Sequence, residues 1–283
     1  MPKNSFEQPI KREEPPIEEM EKKLDKAEKM VEEVKERWKD KIEEFEMVEK
    51  PVKELKKLCK ENKEKIEKKE WVFQFFSFLS SLPLPKTPPS FLERVSNKFL
   101  KEFDWENFKG GKYLEGNLGL FLSAFLNKNI ENYVLSQKKK GIKEEDIEPI
   151  EVRLKVKELP VVLGYLGYKN PKKLHLIIEG NCSYQIGECM QGGEIIVKGD
   201  CGVWIGLGMR NGKIIVEGNC GDEVGMRMKG GKLDIRGEVK SFGRSAFYSD
   251  NQGTIIWKGT KIWEKGNWTK EGKEMKEKGE IPV

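Results

Sequence analysis

Residues 180–237 read GNCSYQIGECMQGGEIIVKGDCGVWIGLGMRNGKIIVEGNCGDEVGMRMKGGKLDIRG. The pattern G-[ND]-C-x3-[IV]-G-x2-M-x-[GN]-G occurs three times in this stretch, with a spacing of 19 residues between equivalent positions. Because glycine, cysteine and methionine all keep the same phase, the pattern indicates identical structural units stacked on one another. The glycines and cysteines are therefore expected to serve the geometry of the repeat before they serve any chemistry.

Each repeat contains a short strand that ends next to a glycine. Side chains alternate across a strand, so the apolar position shared by every copy is predicted to point inward. Stacked copies then pair as parallel strands, and the glycines are expected to supply positive φ at the corners. This pattern predicts a mainly β fold, a single-stranded right-handed parallel β-helix over residues 174–264. The predicted inward positions are Leu176, Ile195, Ile214, Leu233 and Ile255.

The opposite face of the same strands is also partly apolar. Ile177, Ile196 and Ile215 occupy it in three consecutive coils, and Asp234 occupies it in the next. An acidic residue there indicates that this face is outside. Since contiguous apolar groups on a surface usually mark a contact, we expect either the helices of residues 91–135 or another subunit to cover the three isoleucines.

The repeats resemble the GXGXG domain found at the C-terminal end of glutamate synthase (alpha subunit) and in the repeat-bearing subunit of formylmethanofuran dehydrogenase. The likeness is carried by residues 186–193, 195–200 and 224–231. Residues 118–123, 142–147 and 163–167 are similar to the lead-in of the glutamate synthase domain. The resemblance covers residues 113–263 and leaves residues 1–110 unmatched. It implies a non-catalytic scaffold domain against which catalytic modules pack.

The N-terminal part of the chain carries a heptad pattern that begins at Met20. It predicts a long helical arm over residues 17–70, either a coiled coil or a helical hairpin. Pro51 falls inside the pattern and is expected to kink or break the helix near Lys50. One kinked helix and two shorter helices folded together are both open, as is packing on the chain's own globular domain. The candidate interaction residues at a positions are Leu24, Val31, Trp38 and Phe45.

Four further segments complete the predicted organisation. Residues 1–16 hold four of the thirteen prolines and are expected to form a flexible tail. Residues 71–112 comprise an aromatic segment, a proline linker and a short helix. Residues 113–173 are an α+β lead-in that caps the solenoid, and residues 265–283 are a C-terminal tail. The aromatic segment is predicted to be core, protein interface or, less favoured, a membrane-surface contact, through Trp71, Phe73, Phe75 and Phe76.

Candidate chemistry is sparse in this sequence. Cys182, Cys201 and Cys220 recur in phase and could bind a soft metal, but a stacked series is linear rather than tetrahedral. The single histidine, His175, lies on an outward strand position, which disfavours histidine-dependent catalysis. We therefore expect no cofactor, no metal and no enzymatic activity.

Composition narrows the partners and the compartment. The net charge of +5 is small and the basic residues alternate with acidic ones, so nucleic acid is not an expected partner. In-phase cysteines without a signal peptide are typical of a cytoplasmic protein, and richness in Lys and Glu is typical of a thermophile. The leading hypothesis is a structural or assembly protein. The alternatives are an accessory subunit of an oxidoreductase and a membrane-surface tether through residues 71–84.

Overall fold

The computed structural model describes residues 17–67, 72–108 and 113–283. Within helix α1 the side chains of residues 17–20, 23, 35, 37 and 38 lie outside the description. The chain divides into two compact units, residues 1–46 and residues 47–283. The predicted tail of residues 1–16 and the position of Trp71 lie outside the described residues.

Within the residues that the structure describes, the first unit contains one long helix, α1 (Ile17–Glu44). A π-helical turn follows at Phe45–Glu49, and α2 (Lys50–Glu61) begins directly after it. Pro51 therefore sits in the first turn of α2, directly after the π-helical turn, and it has no N–H to donate to the carbonyl groups of that turn. Regular α-helical geometry is interrupted beside Lys50, as Pro51 predicts.

Within the described residues, five helices of the second unit precede its sheet. They are α2, α3 (Lys63–Glu67), α4 (Val72–Ser81), α5 (Leu92–Lys101) and α6 (Leu114–Lys139), with a 3-10 turn at Pro89–Phe91. The second half of the heptad pattern is buried here, at Val48, Val52, Leu55 and Cys59. The same apolar spacing therefore packs α2 against its own domain, which was one of the open interpretations of the pattern.

Eight strands in the described part of the chain form one sheet, whose spatial order is the order of the chain. The strands are β1 (Ile150–Lys155), β2 (Leu174–Glu179), β3 (Glu194–Val197), β4 (Lys213–Val216), β5 (Lys232–Ile235), β6 (Thr254–Trp257), β7 (Thr260–Glu264) and β8 (Asn267–Trp268). Strands β1 to β6 pair in parallel, and His175, Glu194, Lys213 and Lys232 stand in one register row. The repeats form a β-solenoid of about four turns.

The interior of the solenoid is built from the predicted inward face. Leu176, Ile195, Ile214, Leu233 and Ile255 are each at most 1% exposed, which confirms that part of the prediction. The in-phase methionines Met190, Met209 and Met228 are fully buried between the coils. Apolar side chains of the same type thus stack on one another from coil to coil.

The repeated glycines serve two different needs. Gly206 has φ +69°, a left-handed conformation that side chains rarely adopt, so the prediction of positive φ holds for its series. The prediction is wrong for Gly199, whose φ is not positive. There an added Cβ would lie 2.6 Å from the carbonyl oxygen of Gly180 in the preceding coil. Close approach of two backbones explains that glycine.

Both edges of the sheet are covered. At the first edge α5 packs on β1: Asn97 Nδ2 donates to Arg153 O at 2.7 Å, and Asn97 Oδ1 accepts from Lys155 N at 2.8 Å. Glu93 Oε2 accepts from Arg153 N at 3.1 Å, so helix side chains replace a neighbouring strand. At the other edge β7 pairs antiparallel with β6, and β8 pairs antiparallel with β7.

The lead-in predicted as a cap contributes to the first of these ends. Ser123 and Asn127 of α6 hydrogen-bond the backbone of residues 165–169, at the first coil. At the far end Trp263 is buried and donates its indole N–H to Asn251 O at 3.0 Å. The segment predicted as a C-terminal tail, residues 265–283, contains β8 and a further helix, α7 (Lys270–Glu277).

Candidate interaction surfaces

The apolar positions of α1 form the first candidate surface. Leu24, Val31 and Val34 are 60%, 52% and 55% exposed, although all three are at a or d positions of the heptad. Phe45, the first residue of the π-helical turn after α1, is exposed and continues the a positions, and the exposed Met30 and Ile42 widen the stripe. The side chain of Trp38, the remaining predicted interaction residue of the arm, lies outside the description. We call this stripe of α1 the arm stripe.

The outer isoleucines of the solenoid stand in one register row, as the repeat predicts. Arg153, Ile177, Ile196, Ile215 and Asp234 follow one another across β1 to β5. Ile177 and Ile215 are only 6% exposed and lie outside the apolar core cluster, and Ile196 is half-buried. The neighbours in this row and in the rows beside it therefore cover much of the apolar surface.

Charged rows flank the isoleucines on both sides. The charges alternate in sign along one row, which consists of Lys155, Glu179, Lys198, Glu217 and Arg236. In this row Arg236 Nη1 lies 3.2 Å from Glu217 Oε1. In the other row Lys213 and Glu194 form an ion pair of 2.7 Å. Opposite charges on adjacent parallel strands support the ladder, and their aliphatic stems shield the isoleucines between them.

Residues of the aromatic segment divide between core and surface. Phe75 and Phe76 of α4 are buried, and the ring of Phe76 lies 4.7 Å from that of Tyr168. Phe73 is 63% exposed, and Lys169 Nζ stands 4.5 Å from the centre of its ring. Among the described residues, no helix is both long enough and apolar enough to cross a bilayer.

The three in-phase cysteines form a buried ladder. The backbones of Cys182, Cys201 and Cys220 form isolated parallel β-bridges between consecutive coils. All three side chains are free thiols. A hydrogen bond with Cys182 raises the pKa of Cys201, and a hydrogen bond with Cys201 together with burial raises that of Cys220. In the described part of the chain no three His, Cys, Asp or Glu side chains converge as metal ligands would.

A polar cluster that the sequence pattern did not single out lies at the corner of the first two coils. Glu188 Oε2 accepts a hydrogen bond of 2.7 Å from Gln185 Nε2. Burial raises the pKa of Glu188 to about 7, and the bond from Gln185 opposes that rise. Burial and the neighbouring Glu188 also raise the pKa of Tyr165 and of the half-buried Cys189.

The repeat itself offers a way to find this cluster. The positions in phase with Glu188 are Leu207 and Met226, so the carboxylate departs from an apolar series. A departure of this kind marks a position at which one coil carries a different chemical group from its neighbours. Within the cluster the arrangement supplies a carboxyl group that titrates near neutral pH.

A cavity of about 840 Å³ opens near the far end of the solenoid. Arg227 and Arg244 line it together with Glu223, and Lys229 forms an ion pair with Asp250 beside them. Because acidic and basic groups are mixed, the lining does not favour a ligand of either sign.

Comparisons of this chain with protein-family models, with curated proteins and with solved structures found no match.

Proposed function

We propose that this chain is a non-catalytic structural or assembly protein. In this proposal the solenoid is a right-handed parallel β-helix of the GXGXG type and acts as a rigid docking scaffold. The N-terminal helix acts as a coiled-coil arm that associates with protein, and the cytoplasm is the proposed compartment. The observation that carries the proposal is the exposed arm stripe.

The length and exposure of α1 support association. A helix of 28 residues that leaves Leu24, Val31 and Val34 more than half exposed gains no tertiary packing from those residues. In proteins most helical stability comes from packing an amphipathic face. Association through the arm stripe would supply that packing.

The solenoid supports the scaffold part of the proposal. Its interior is fully apolar across the repeats, and helix side chains and an antiparallel hairpin cover its edges. Such a body presents flat sheet surfaces whose geometry is fixed by stacking rather than by a ligand. The outer row around Ile196 is the proposed docking face.

Light scattering on the full-length protein tests the association. The proposal expects a mass above the 32.7 kDa of one chain. Val31→Ser with Val34→Ser should shift that mass down, because both remove apolar groups from the arm stripe. Glu33→Ser with Glu36→Ser, at positions outside the stripe, is the matched control and should leave the mass unchanged. A wild-type chain that is monomeric and retains no partner on affinity purification from its own cell would contradict the proposal.

An accessory, non-catalytic subunit of a multi-subunit oxidoreductase is the second candidate. The resemblance of residues 113–263 to the GXGXG domains favours it, since such domains pack against catalytic modules. Co-purification with a flavin, iron–sulfur or pterin subunit is the expected result. A tagged chain that repeatedly returns alone from native extracts would exclude it.

A membrane-surface tether through residues 71–84 is the third candidate, and Phe73 is the exposed aromatic residue that would make the contact. Burial of Phe75, Phe76 and Leu79 leaves little of α4 for insertion. Flotation with liposomes should distinguish the wild-type chain from Phe73→Ser if the tether exists, and equal flotation would dismiss it.

A further inference from the structure

We infer that the partner of the arm stripe is α1 of a second copy of this chain, and that the two helices run antiparallel with Val31 of one copy facing Val34 of the other. The inference rests on the proposed function and adds the identity and the direction of the partner. It is argued from the exposed positions of α1 and from the residue types along its heptads.

The apolar layers of the helix match their own reverse. With Val31 opposite Val34 of the second copy, each a position of one helix faces a d position of the other, and the facing positions run in opposite directions along the two chains. Ala27, the smallest residue at these positions, then meets position 38, where the sequence has its largest residue type, tryptophan. Pairing a large with a small residue keeps the distance between the helix axes uniform along the contact.

The single polar residue of the seam also favours the antiparallel direction. Lys41 is at a d position. In a parallel pair in register it would face Lys41 of the second copy inside the seam, where like charges repel. In the antiparallel pair Lys41 meets Leu24 of the second copy, in a layer towards the end of the contact, where its charged end can reach water.

Charges beside the seam are complementary in the same register. At e positions Glu28 of one copy is placed next to position 35 of the other, a lysine, and at g positions Glu44 is placed next to position 23, also a lysine. Two-fold symmetry repeats each combination, so the sequence has four combinations of opposite charge beside an antiparallel seam. A parallel pair in register supplies only two, between position 23 and Glu28 of the second copy.

Cysteine cross-linking of the full-length protein distinguishes the two directions. Leu24→Cys and Lys41→Cys are prepared separately in a Cys189→Ser background, because the other four native thiols are buried. Positions 24 and 41 are about 25 Å apart along one helix. In the antiparallel pair they meet across the seam, within the reach of a disulfide, while identical positions are far apart. Under mild oxidation of pre-equilibrated samples we expect a linked dimer from the mixture and little from either variant alone.

The possible results separate this inference from the proposal on which it rests. A linked dimer from each variant alone, and no gain on mixing, would show a parallel pair and overturn the direction while the association stands. A chain that stays at 32.7 kDa in light scattering and forms no cross-link would overturn the inference, and the proposed function would fall as well only if affinity purification also returned no partner. Unchanged circular dichroism of the variants confirms that the solenoid is folded in each case.

Discussion

The carboxamide oxygen Oδ1 of Asn181 accepts a hydrogen bond of 2.9 Å from the backbone amide of Asp200, its equivalent one coil further along. Asp200 Oδ1 accepts from Asn219 N at 2.7 Å, and Asn219 Oδ1 accepts from Glu238 N at 2.8 Å. A continuous ladder of side-chain acceptors thus follows the corner glycines. It satisfies amides at a corner where no strand hydrogen bond is available.

This ladder predicts different effects for two substitutions of Asp200. Asp200→Ala removes the acceptor of Asn219 N and should lower the free energy of unfolding by about 1 kcal/mol. Asp200→Asn keeps an oxygen at the same place and should lie close to the wild type. Urea denaturation measures both, and equal losses in the two variants would contradict the role of the acceptor.

Close packing of consecutive coils predicts that Gly199 does not accept a side chain. Gly199→Ala would place a Cβ 2.6 Å from Gly180 O, so the coils must separate, and we expect a loss of about 3 kcal/mol or more. Gly141 is the control: its φ is +84°, but an added Cβ meets nothing within 4 Å. Gly141→Ala should therefore cost only about 1 kcal/mol. Chemical denaturation should separate the two variants clearly, and similar losses would refute the steric argument.

The aromatic segment gives a matched pair of phenylalanines. Phe75 is fully buried, so Phe75→Ala should destabilise the second unit by about 3–5 kcal/mol. Phe73 is mostly exposed and contributes chiefly its contact with Lys169, so Phe73→Ala should cost about 1 kcal/mol or less. Thermal unfolding in the absence of any lipid provides the comparison. If both variants were equally stable, α4 would not be part of the core.

The Glu188 carboxyl predicts a pH dependence of stability. Its pKa in the folded protein is about 7, above the ordinary value of 4.5, because burial disfavours the charged form. Between these two values the folded chain holds a proton that the unfolded chain has released, so this group's contribution to stability falls as pH rises. Glu188→Gln has no carboxyl to take up this proton. Its free energy of unfolding, relative to that of the wild type, should therefore rise between about pH 4.5 and pH 7.

The measurement for Glu188 is a series of denaturation midpoints across that pH range. The exposed Glu238 supplies the control, since Glu238→Gln removes a carboxyl at the surface of the same solenoid. A difference between Glu188→Gln and wild type that does not change with pH would show that folding does not raise the pKa of Glu188.

The cysteine ladder predicts a strong difference in thiol reactivity. Because the thiolate is the nucleophile, a raised pKa and burial together protect Cys201 and Cys220 from alkylation. Half-buried Cys189 should be the first thiol modified in the folded protein. Mass spectrometry after brief treatment with iodoacetamide should find label at Cys189, and the ladder should be labelled only after unfolding. Early label on Cys201 would require the coils to open.

The regular positions of the solenoid can be predicted from the sequence because each of them occurs in three copies of the repeat. The inward place of Ile195 follows from alternation, and the register of Glu194 with Lys213 follows from the constant spacing. The reason for each glycine is not accessible in this way. Gly206 and Gly199 both require the absence of a Cβ, and only the backbone conformation shows whether φ or the neighbouring coil is responsible.

The heptad pattern shows a different limit. Val31 and Val52 both occupy a positions, yet one is half exposed and the other is buried in the second unit. Apolar spacing shows that a helix has an apolar face. It does not show which surface that face packs against. Glu188 is not predicted for the opposite reason. A search for residues that recur at the repeat spacing overlooks a residue that occurs in one coil only.

Covered edges have a consequence for how large an assembly of this protein can become. A parallel solenoid with bare terminal strands would let a further copy add end to end, and head-to-tail addition of that kind continues into a fibre. Here Asn97 and Glu93 hydrogen-bond Arg153 N, Arg153 O and Lys155 N of β1, and the reversed strand β7 pairs with β6. We therefore expect end-to-end addition along the solenoid axis to be disfavoured, and the proposed contacts between copies to use lateral surfaces, where two-fold pairing closes on itself after a finite number of chains.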